Sequence, residues 1–291
     1  MNQNPSTQAP EHPRTHAPTH PSTQAPKHPR TALITGASSG IGEAFARVFA
    51  AHGFDLVIAA RREERLGAVA ASLERDHGRR VHVIVCDLSR REAPAELCAE
   101  IARRELTIDA LVNNAGYGVP GTYLASPWER HEAMLQVMVM GLAELTYRLL
   151  PGMIDRGYGR IVNVASLAGL VPAPAGHTLY AASKAFVIKF TEALAHEGRR
   201  HGVHATAVCP GFTLSEFHDV TGTREQVSKL PRWLWMDSPT VARQGYAAVM
   251  EGVPIYVNGR VNRTIAWLVR CLPQAIVMWA GRQLGRAYRK T

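Results

Sequence analysis

Short apolar runs alternate with amphipathic stretches along the first two thirds of the chain. TALIT from Thr31, FDLVIAA ending at Ala60, RVHVIVCD ending at Asp87, DALVNNAG from Asp109 and IVNVA ending at Ala165 are rich in aliphatic and β-branched side chains and are bounded by Gly, Pro, Asn or Asp. Runs of this length and composition predict buried strands. Between them EAFARVFAAHG, REERLGAVAASLERDHG and AELCAEIARRE carry the helical period, and two longer helices are predicted over 127–150 and 178–201. Strand and helix in regular alternation predict an α/β fold: a single, doubly wound parallel sheet with helices on both faces. Past Asn258 two further helical segments, TIAWLVRCL and QAIVMWAGRQLGRAYRK, are divided by Pro273 and form a C-terminal extension.

This patterning divides the chain into three parts. Residues 1–30 are a Pro, His, Thr and Gln tract with an imperfect duplication, STQAPEHPRT and STQAPKHPRT, and cannot bury enough apolar surface to offset their ordering entropy. Residues 31–258 carry the alternating pattern, and 259–291 the extension. The tail's His12, His16, His20 and His28 offer a metal no fixed geometry, and Cys86, Cys98, Cys209 and Cys271 have neither disulfide-framework nor zinc spacing, so no metal is expected. The start of the chain lacks the apolar core of a secretory signal, and no uninterrupted apolar run is long enough to span a bilayer. A cytoplasmic protein is the expectation.

Net charge is +9, and much of it is local: from Gly252 onward there is no Asp or Glu, against Arg260, Arg263, Arg270, Arg282, Arg286, Arg289 and Lys290. Nucleic acid is not the expected partner, because no recognition motif or aromatic platform accompanies these charges. In the last segment Ile276, Val277, Ala280, Leu284, Ala287 and Tyr288 share one helical face opposite Arg282, Arg286 and Arg289. Such a helix either packs on the domain or a second copy, or makes peripheral contact with an anionic membrane.

Candidate chemistry sits at the carboxyl ends of the strands. After TALIT comes Gly36-Ala-Ser38-Ser39-Gly40-Ile41-Gly42 and then a helix, an order that lets backbone approach a pyrophosphate and aims a helix N-terminus at it. Ala60 is followed by Arg61 and Arg62 where a dinucleotide fold otherwise places an acid on the ribose hydroxyls. An arginine there accommodates a 2′-phosphate, so Arg61 points to NADP(H) rather than NAD(H). Asp87 and Leu88 end the third strand, with Asp87 either meeting the adenine or capping the next helix, and Asn113, Asn114, Ala115 and Gly116 form a turn that lines the same cleft.

Ser166 ends the fifth strand, and Tyr180 and Lys184 lie four apart on the following helix, facing one space. Bringing a tyrosine from its usual pKa of about 10 to near 7 takes about 4 kcal/mol. An ammonium about 4 Å away at an effective dielectric near 20 offers about that much. The pair is therefore expected to supply a proton donor working near neutral pH.

Thr35 to Gly42 (T-G-x-x-x-G-I-G), Asn113 to Gly116 (N-N-A-G), Ser166, Tyr180 to Lys184 (Y-x-x-x-K) and Pro210-Gly211, in this order and spacing, make the chain resemble a short-chain dehydrogenase/reductase over about residues 31–257. The resemblance implies a Rossmann-like fold and hydride transfer between NADP(H) and a carbonyl or alcohol. Tyr180 would be the acid/base, Ser166 would hold the substrate oxygen, and Lys184 would bind the nicotinamide ribose and lower the tyrosine pKa. Thr213 matches the position that bonds the carboxamide, or else caps a helix.

One departure stands out. Where the family carries asparagine in V-N-V-x-G, this chain reads Val137-Met138-Val139-Met140-Gly141, and a thioether cannot replace an amide's donor and acceptor. A protein that binds NADP(H) without turnover is therefore the competing reading. The resemblance also implies a homodimer or homotetramer through the two long helices, and a lid between Leu214 and Ser238. Phe217, Trp233, Trp235 and Met236 in that lid suit an apolar carbonyl or alcohol substrate.

Overall fold

The computed structural model describes residues 29–173, 175–217, 228, 231–273 and 275–278. In chain order its elements are β1 (Thr31–Thr35), α1 (Gly40–Ala51), β2 (Asp55–Ala60), α2 (Glu63–His77), β3 (Val81–Val85), α3 (Ala93–Arg103), β4 (Ala110–Asn113), α4 (Trp128–Leu135), α5 (Leu142–Asp155), β5 (Gly159–Val164), α6 (Thr178–Gly198), β6 (Val203–Cys209), β7 (Thr213–Leu214), β8 (Met236–Asp237), α7 (Ser238–Glu251), β9 (Ile255–Val257) and α8 (Arg260–Cys271). Seven strands form one sheet in the order β3-β2-β1-β4-β5-β6-β9, with every pairing parallel. The order reverses between β1 and β4, and the crevice opens at their carboxyl ends.

The strands read as nearly continuous apolar runs because both faces are covered. Ala32, Ile34, Leu56, Ile58, Val112 and Val162 point to the face packed by Phe45, Phe49, Leu66, Leu73, Val241 and Val249 from α1, α2 and α7. Their neighbours Leu33, Val57, Leu111 and Ile161 point to the other face, against Leu97, Ile101, Met134, Leu145, Met153 and Leu194 from α3, α4, α5 and α6. Arg30 already belongs to the domain: its carbonyl accepts the Asp55 amide at 2.8 Å, and its guanidinium lies 3.7 Å from the centre of the Tyr158 ring. The histidine-bearing tail before Pro29 lies outside the described residues.

Polar groups are also used inside. Asn113 Nδ2 donates to Asn163 Oδ1 at 2.9 Å and to Thr146 Oγ1 at 3.1 Å, and Asn163 Nδ2 donates to Thr191 Oγ1 at 2.9 Å. This buried chain fastens α5 and α6 to β4 and β5. Asn113 therefore faces the core and leaves the cleft to Asn114.

Between α4 and α5 the helix widens into a π turn at Gln136–Gly141, so one helical run extends from Trp128 to Asp155. That run is long and apolar enough to cross a bilayer by length and composition. Its Met134, Val137, Leu145 and Met153 nevertheless pack in the core against the sheet. A π turn inside a helix is a local irregularity common near functional sites, and Met138 lies within this one, only 2% exposed.

The helix α8 is held to the domain by Asn262, which is buried and donates to the Asn258 carbonyl at 2.8 Å. A Cβ on Gly211 would come within 2.6 Å of that amide, so α8 is packed directly against the Pro210-Gly211 turn. Val261, Trp267, Leu268 and Leu272 remain exposed. Of the apolar face expected beyond Pro273, Ile276 is exposed and Val277 buried, and Ala280, Leu284, Ala287 and Tyr288 lie outside the described residues.

Candidate active site

The glycine-rich turn is shaped by close backbone approach. Gly36 and Gly40 adopt φ of +66° and +61°, a region that favours glycine, and a Cβ on Gly42 would lie 2.3 Å from the Gly36 carbonyl oxygen. Asn114 pins the turn from β4: its Nδ2 donates to the carbonyls of Thr35 at 3.0 Å and Gly36 at 3.2 Å. Thr35 Oγ1 in turn accepts the amides of Asn114 and Ala115 at 3.0 and 3.1 Å. The first turn of α1 thus offers free amides to an anion at the mouth of the crevice, and the cradle fits a dinucleotide pyrophosphate.

Beside it is a basic corner. Arg62 engages the turn: its Nε and Nη2 donate to Ser38 Oγ at 3.2 and 2.9 Å, and Nη2 also reaches Ser39 Oγ at 2.9 Å. Arg65 stands one helical turn on, and Glu216 bridges Arg62 and Arg65. Arg61 is exposed next to this cluster, its charge acting on Tyr117.

The chemical centre joins β5 to α6. Ser166 follows β5, and its Oγ accepts the Ala168 amide at 3.1 Å and forms a hydrogen bond with the Tyr180 hydroxyl. Tyr180 is in the first turn of α6 and Lys184 one turn later, its Nζ 5.8 Å from the centre of the tyrosine ring. Lys184 Nζ donates to the Val164 carbonyl at 2.8 Å.

The expected depression of the tyrosine pKa is absent. Burial pushes Tyr180 up to about 12, against the weaker opposing effect of the Ser166 hydrogen bond. Burial also brings Lys184 down to about 8. Lys184 donates to a main-chain carbonyl, and burial of the phenol outweighs what lowers its pKa. The site thus holds a protonated phenol at neutral pH.

Two aromatic rings frame that phenol. Phe217 lies 5.6 Å from the Tyr180 ring centre to centre, and His177 lies edge-on at 6.2 Å. A small cleft beside Tyr180 is lined by Val119, Tyr123, His131, Met134, His177 and Leu179. His131 and His177 each bury an Nδ1 that has no hydrogen-bond partner among the described residues.

The remaining sequence candidates fall around these centres. Asp87 Oδ1 accepts the Ser89 amide and hydroxyl at 3.0 and 2.8 Å, closing the turn after β3, while the Leu88 side chain is buried in the core. Ile41 packs partly on the opposite core layer. The Pro210 carbonyl accepts the Leu167 amide at 2.9 Å, tying the Pro210-Gly211 turn to the loop after Ser166. Thr213 lies in β7 and donates to the Gly211 carbonyl at 3.1 Å, so it is a strand residue and not a helix cap. Met138 packs beneath Gly116, whose added Cβ would lie 3.3 Å from its Cγ. Trp235 and Phe212 pair at 5.6 Å, whereas Trp233 is exposed. Sequence reading missed Arg65, Glu216, His131 and His177; only an RxxR spacing on α2 hinted at the first.

Comparison with known proteins agrees with this geometry. The family described as short chain dehydrogenase matches residues 30–226. The chain is 39% identical over 237 residues to sulfoacetaldehyde reductase 2 of Chromohalobacter salexigens, covering 79% of this chain and 91% of that protein. It is 32% identical over 253 residues to very-long-chain 3-oxoacyl-CoA reductase of Anas platyrhynchos, covering 85% and 77%. Among solved structures, a short-chain dehydrogenase from Sphingobium yanoikuyae in complex with NADPH superposes with a TM-score of 0.72 at 30% identity, covering 84% of this chain and 97% of that one.

Proposed function

Because this chain belongs to the short chain dehydrogenase family and is an oxidoreductase acting on alcohol or carbonyl groups, we propose that it reduces the carbonyl of a hydrophobic small molecule with NADPH. The observation that carries it is the buried Tyr180 hydroxyl hydrogen-bonded to Ser166, where it can pass a proton to or from a substrate oxygen. The bound nicotinamide supplies the hydride. Ser166 and Tyr180 hold the substrate oxygen between two hydroxyls, and Lys184 places a cation behind them, one helical turn along α6.

Support for the phosphorylated cofactor comes from Arg62, Arg65, Ser38 and Ser39, two guanidinium groups and two hydroxyls gathered at the end of β2. The Sphingobium neighbour is a complex with NADPH. A hydrophobic substrate is supported by Val119, Met134 and Leu179 in the wall of the cleft and by Phe217 over the catalytic ring. The test is NADPH and NADH oxidation measured in parallel against a panel of apolar ketones and aldehydes. Turnover with NADH alone would overturn the cofactor assignment. A silent protein that binds NADPH tightly would favour the competing reading of a cofactor-binding protein without turnover, to which Met138 lends weight.

Two contacts complete the proposal. Met140, Tyr147 and Phe186 are exposed on the two long helices and suit a homodimer, which light scattering of the full chain would detect. The segment after Pro273, whose sequence sets Ile276, Val277, Ala280, Leu284, Ala287 and Tyr288 opposite Arg282, Arg286 and Arg289 in a C-terminal region without a single carboxylate side chain, suits an anionic lipid surface. Sedimentation with anionic liposomes should be lost when the chain ends at Leu272; unchanged sedimentation would refute that role for the last segment.

A further inference from the structure

Glu216 comes to the basic corner from the far side of the cleft, 154 residues after Arg62 in sequence. Its Oε2 accepts from Arg62 Nη1 at 2.8 Å, its Oε1 accepts from Arg65, and Ser39 hydrogen-bonds to it as well. The hydrogen bonds from Arg62 and Arg65 hold its carboxyl down to about 2, so it is an anion throughout the working pH range. The same Arg62 gives its other edge to Ser38 and Ser39. Two guanidinium groups and two hydroxyls form a donor set that suits a phosphomonoester better than one carboxylate, which presents fewer oxygens and less charge.

The residues on either side of Glu216 reach the rest of the site. Ser215 stands over the glycine-rich turn, its Cβ 3.0 Å from where a Cβ on Gly40 would lie. Phe217 lies over the Tyr180 ring at 5.6 Å. Three consecutive residues therefore cover, in order, the pyrophosphate cradle, the basic corner and the catalytic phenol. Arg62, Arg65 and Glu216 are each about two-fifths to one-half exposed, so the ion pairs are weak enough for a ligand to exchange.

We propose that Glu216 is an internal stand-in for the 2′-phosphate of NADP(H): its carboxylate holds the phosphate-binding donors in the free chain, and the 2′-phosphate of an arriving cofactor displaces it. The inference rests on the NADP(H) reading above and deepens it. Displacement of Glu216 lifts Phe217 from Tyr180, so the substrate side opens when the phosphorylated cofactor is seated. A cofactor lacking the phosphate leaves Glu216 in place. Glu216 is thus a positioning residue that couples cofactor choice to access at the phenol.

The test titrates the full chain and its Glu216→Gln, Glu216→Ala and Arg62→Ala variants with NADPH and NADH, and follows hydrogen exchange of the Ser215–Phe217 amides with 2′,5′-ADP and with 5′-AMP. Removing the competitor should tighten NADPH binding by about three- to tenfold in both Glu216 variants and leave NADH within about twofold. Exchange in the unaltered chain should rise with 2′,5′-ADP and not with 5′-AMP, and should already be fast in Glu216→Gln without ligand. Unchanged or weakened NADPH binding in both Glu216 variants, with Arg62→Ala still losing NADPH, overturns the role of Glu216 and leaves the cofactor reading standing. If Arg62→Ala leaves the ratio of NADPH to NADH affinity unchanged, the cofactor reading itself falls.

Discussion

Lys184 donates its hydrogen bond to the carbonyl of Val164 at 2.8 Å, not to the Tyr180 hydroxyl four residues before it. The ammonium is buried, and burial brings its pKa to about 8, so it is charged at pH 7 and loses its proton as pH rises through 8. Tyr180, held at about 12, stays protonated across that window. Reductive kcat/KM should therefore be flat from about pH 6 to 7 and fall with a single-proton limb near 8. Replacing Lys184 by Met should abolish the limb along with most of the rate. A profile flat to pH 10 would show that the Lys184 charge is not used.

Tyr180→Phe removes the proton donor and retains the ring that packs between His177 and Phe217. The expected loss in kcat is about 10²- to 10⁴-fold, the usual contribution of a positioned acid. NADPH affinity should change by less than about threefold, because the hydroxyl is bonded to Ser166 and not to the basic corner. Steady-state rates beside a binding titration separate the two, and an undiminished kcat would take Tyr180 out of the mechanism.

Met138 is 2% exposed in the π turn and touches the underside of Gly116. Met138→Asn, which restores the family residue, places an amide where this chain has packed a thioether. It should cost about 1 to 3 kcal/mol of stability by urea unfolding if the amide finds no partner. The chemical step should not accelerate. A tenfold rise in kcat with stability kept would instead mean that the position still serves proton transfer.

How far the sequence could be read follows from how local each interaction is. The strands were legible because both faces of a parallel sheet demand apolar residues, so TALIT and IVNVA are nearly unbroken runs. The glycine turn was legible because Gly42 is forced by backbone contact within a few residues. Tyr180 and Lys184 share one helix, which fixes their relation, but the direction of the ammonium depends on the Val164 carbonyl of another element and could not be read. The contact of Arg62 with the glycine-rich turn depends on Ser38, 24 residues earlier, and its place beside Arg65 on Glu216. Asn113 and Asn114 are neighbours in a motif, yet strand alternation sends one into the core and the other to the cleft.

The two histidines of the cleft yield the most specific expectation about substrate. His131 Nε2 lies 3.0 Å from the Tyr123 carbonyl, which can only accept, so that nitrogen carries the proton. Its Nδ1, a lone-pair acceptor in the neutral tautomer that this contact selects, is buried and without a partner among the described residues. His177 buries a second unpartnered ring nitrogen, its Nδ1, and burial lowers its pKa, which keeps the ring neutral at pH 7. A buried acceptor left unpaired costs about 1 to 3 kcal/mol, recoverable by a ligand that brings a donor. Carbonyl substrates carrying a hydroxyl or N–H some way from the reacting carbon should therefore have kcat/KM about tenfold or more above deoxy or N-methyl analogues of the same length. In His131→Phe that preference should shrink while kcat on the deoxy compounds holds, because the ring lines the cleft and does not touch Ser166, Tyr180 or Lys184. Equal kcat/KM for both members of each pair in the unaltered protein would show that these nitrogens do not read the substrate.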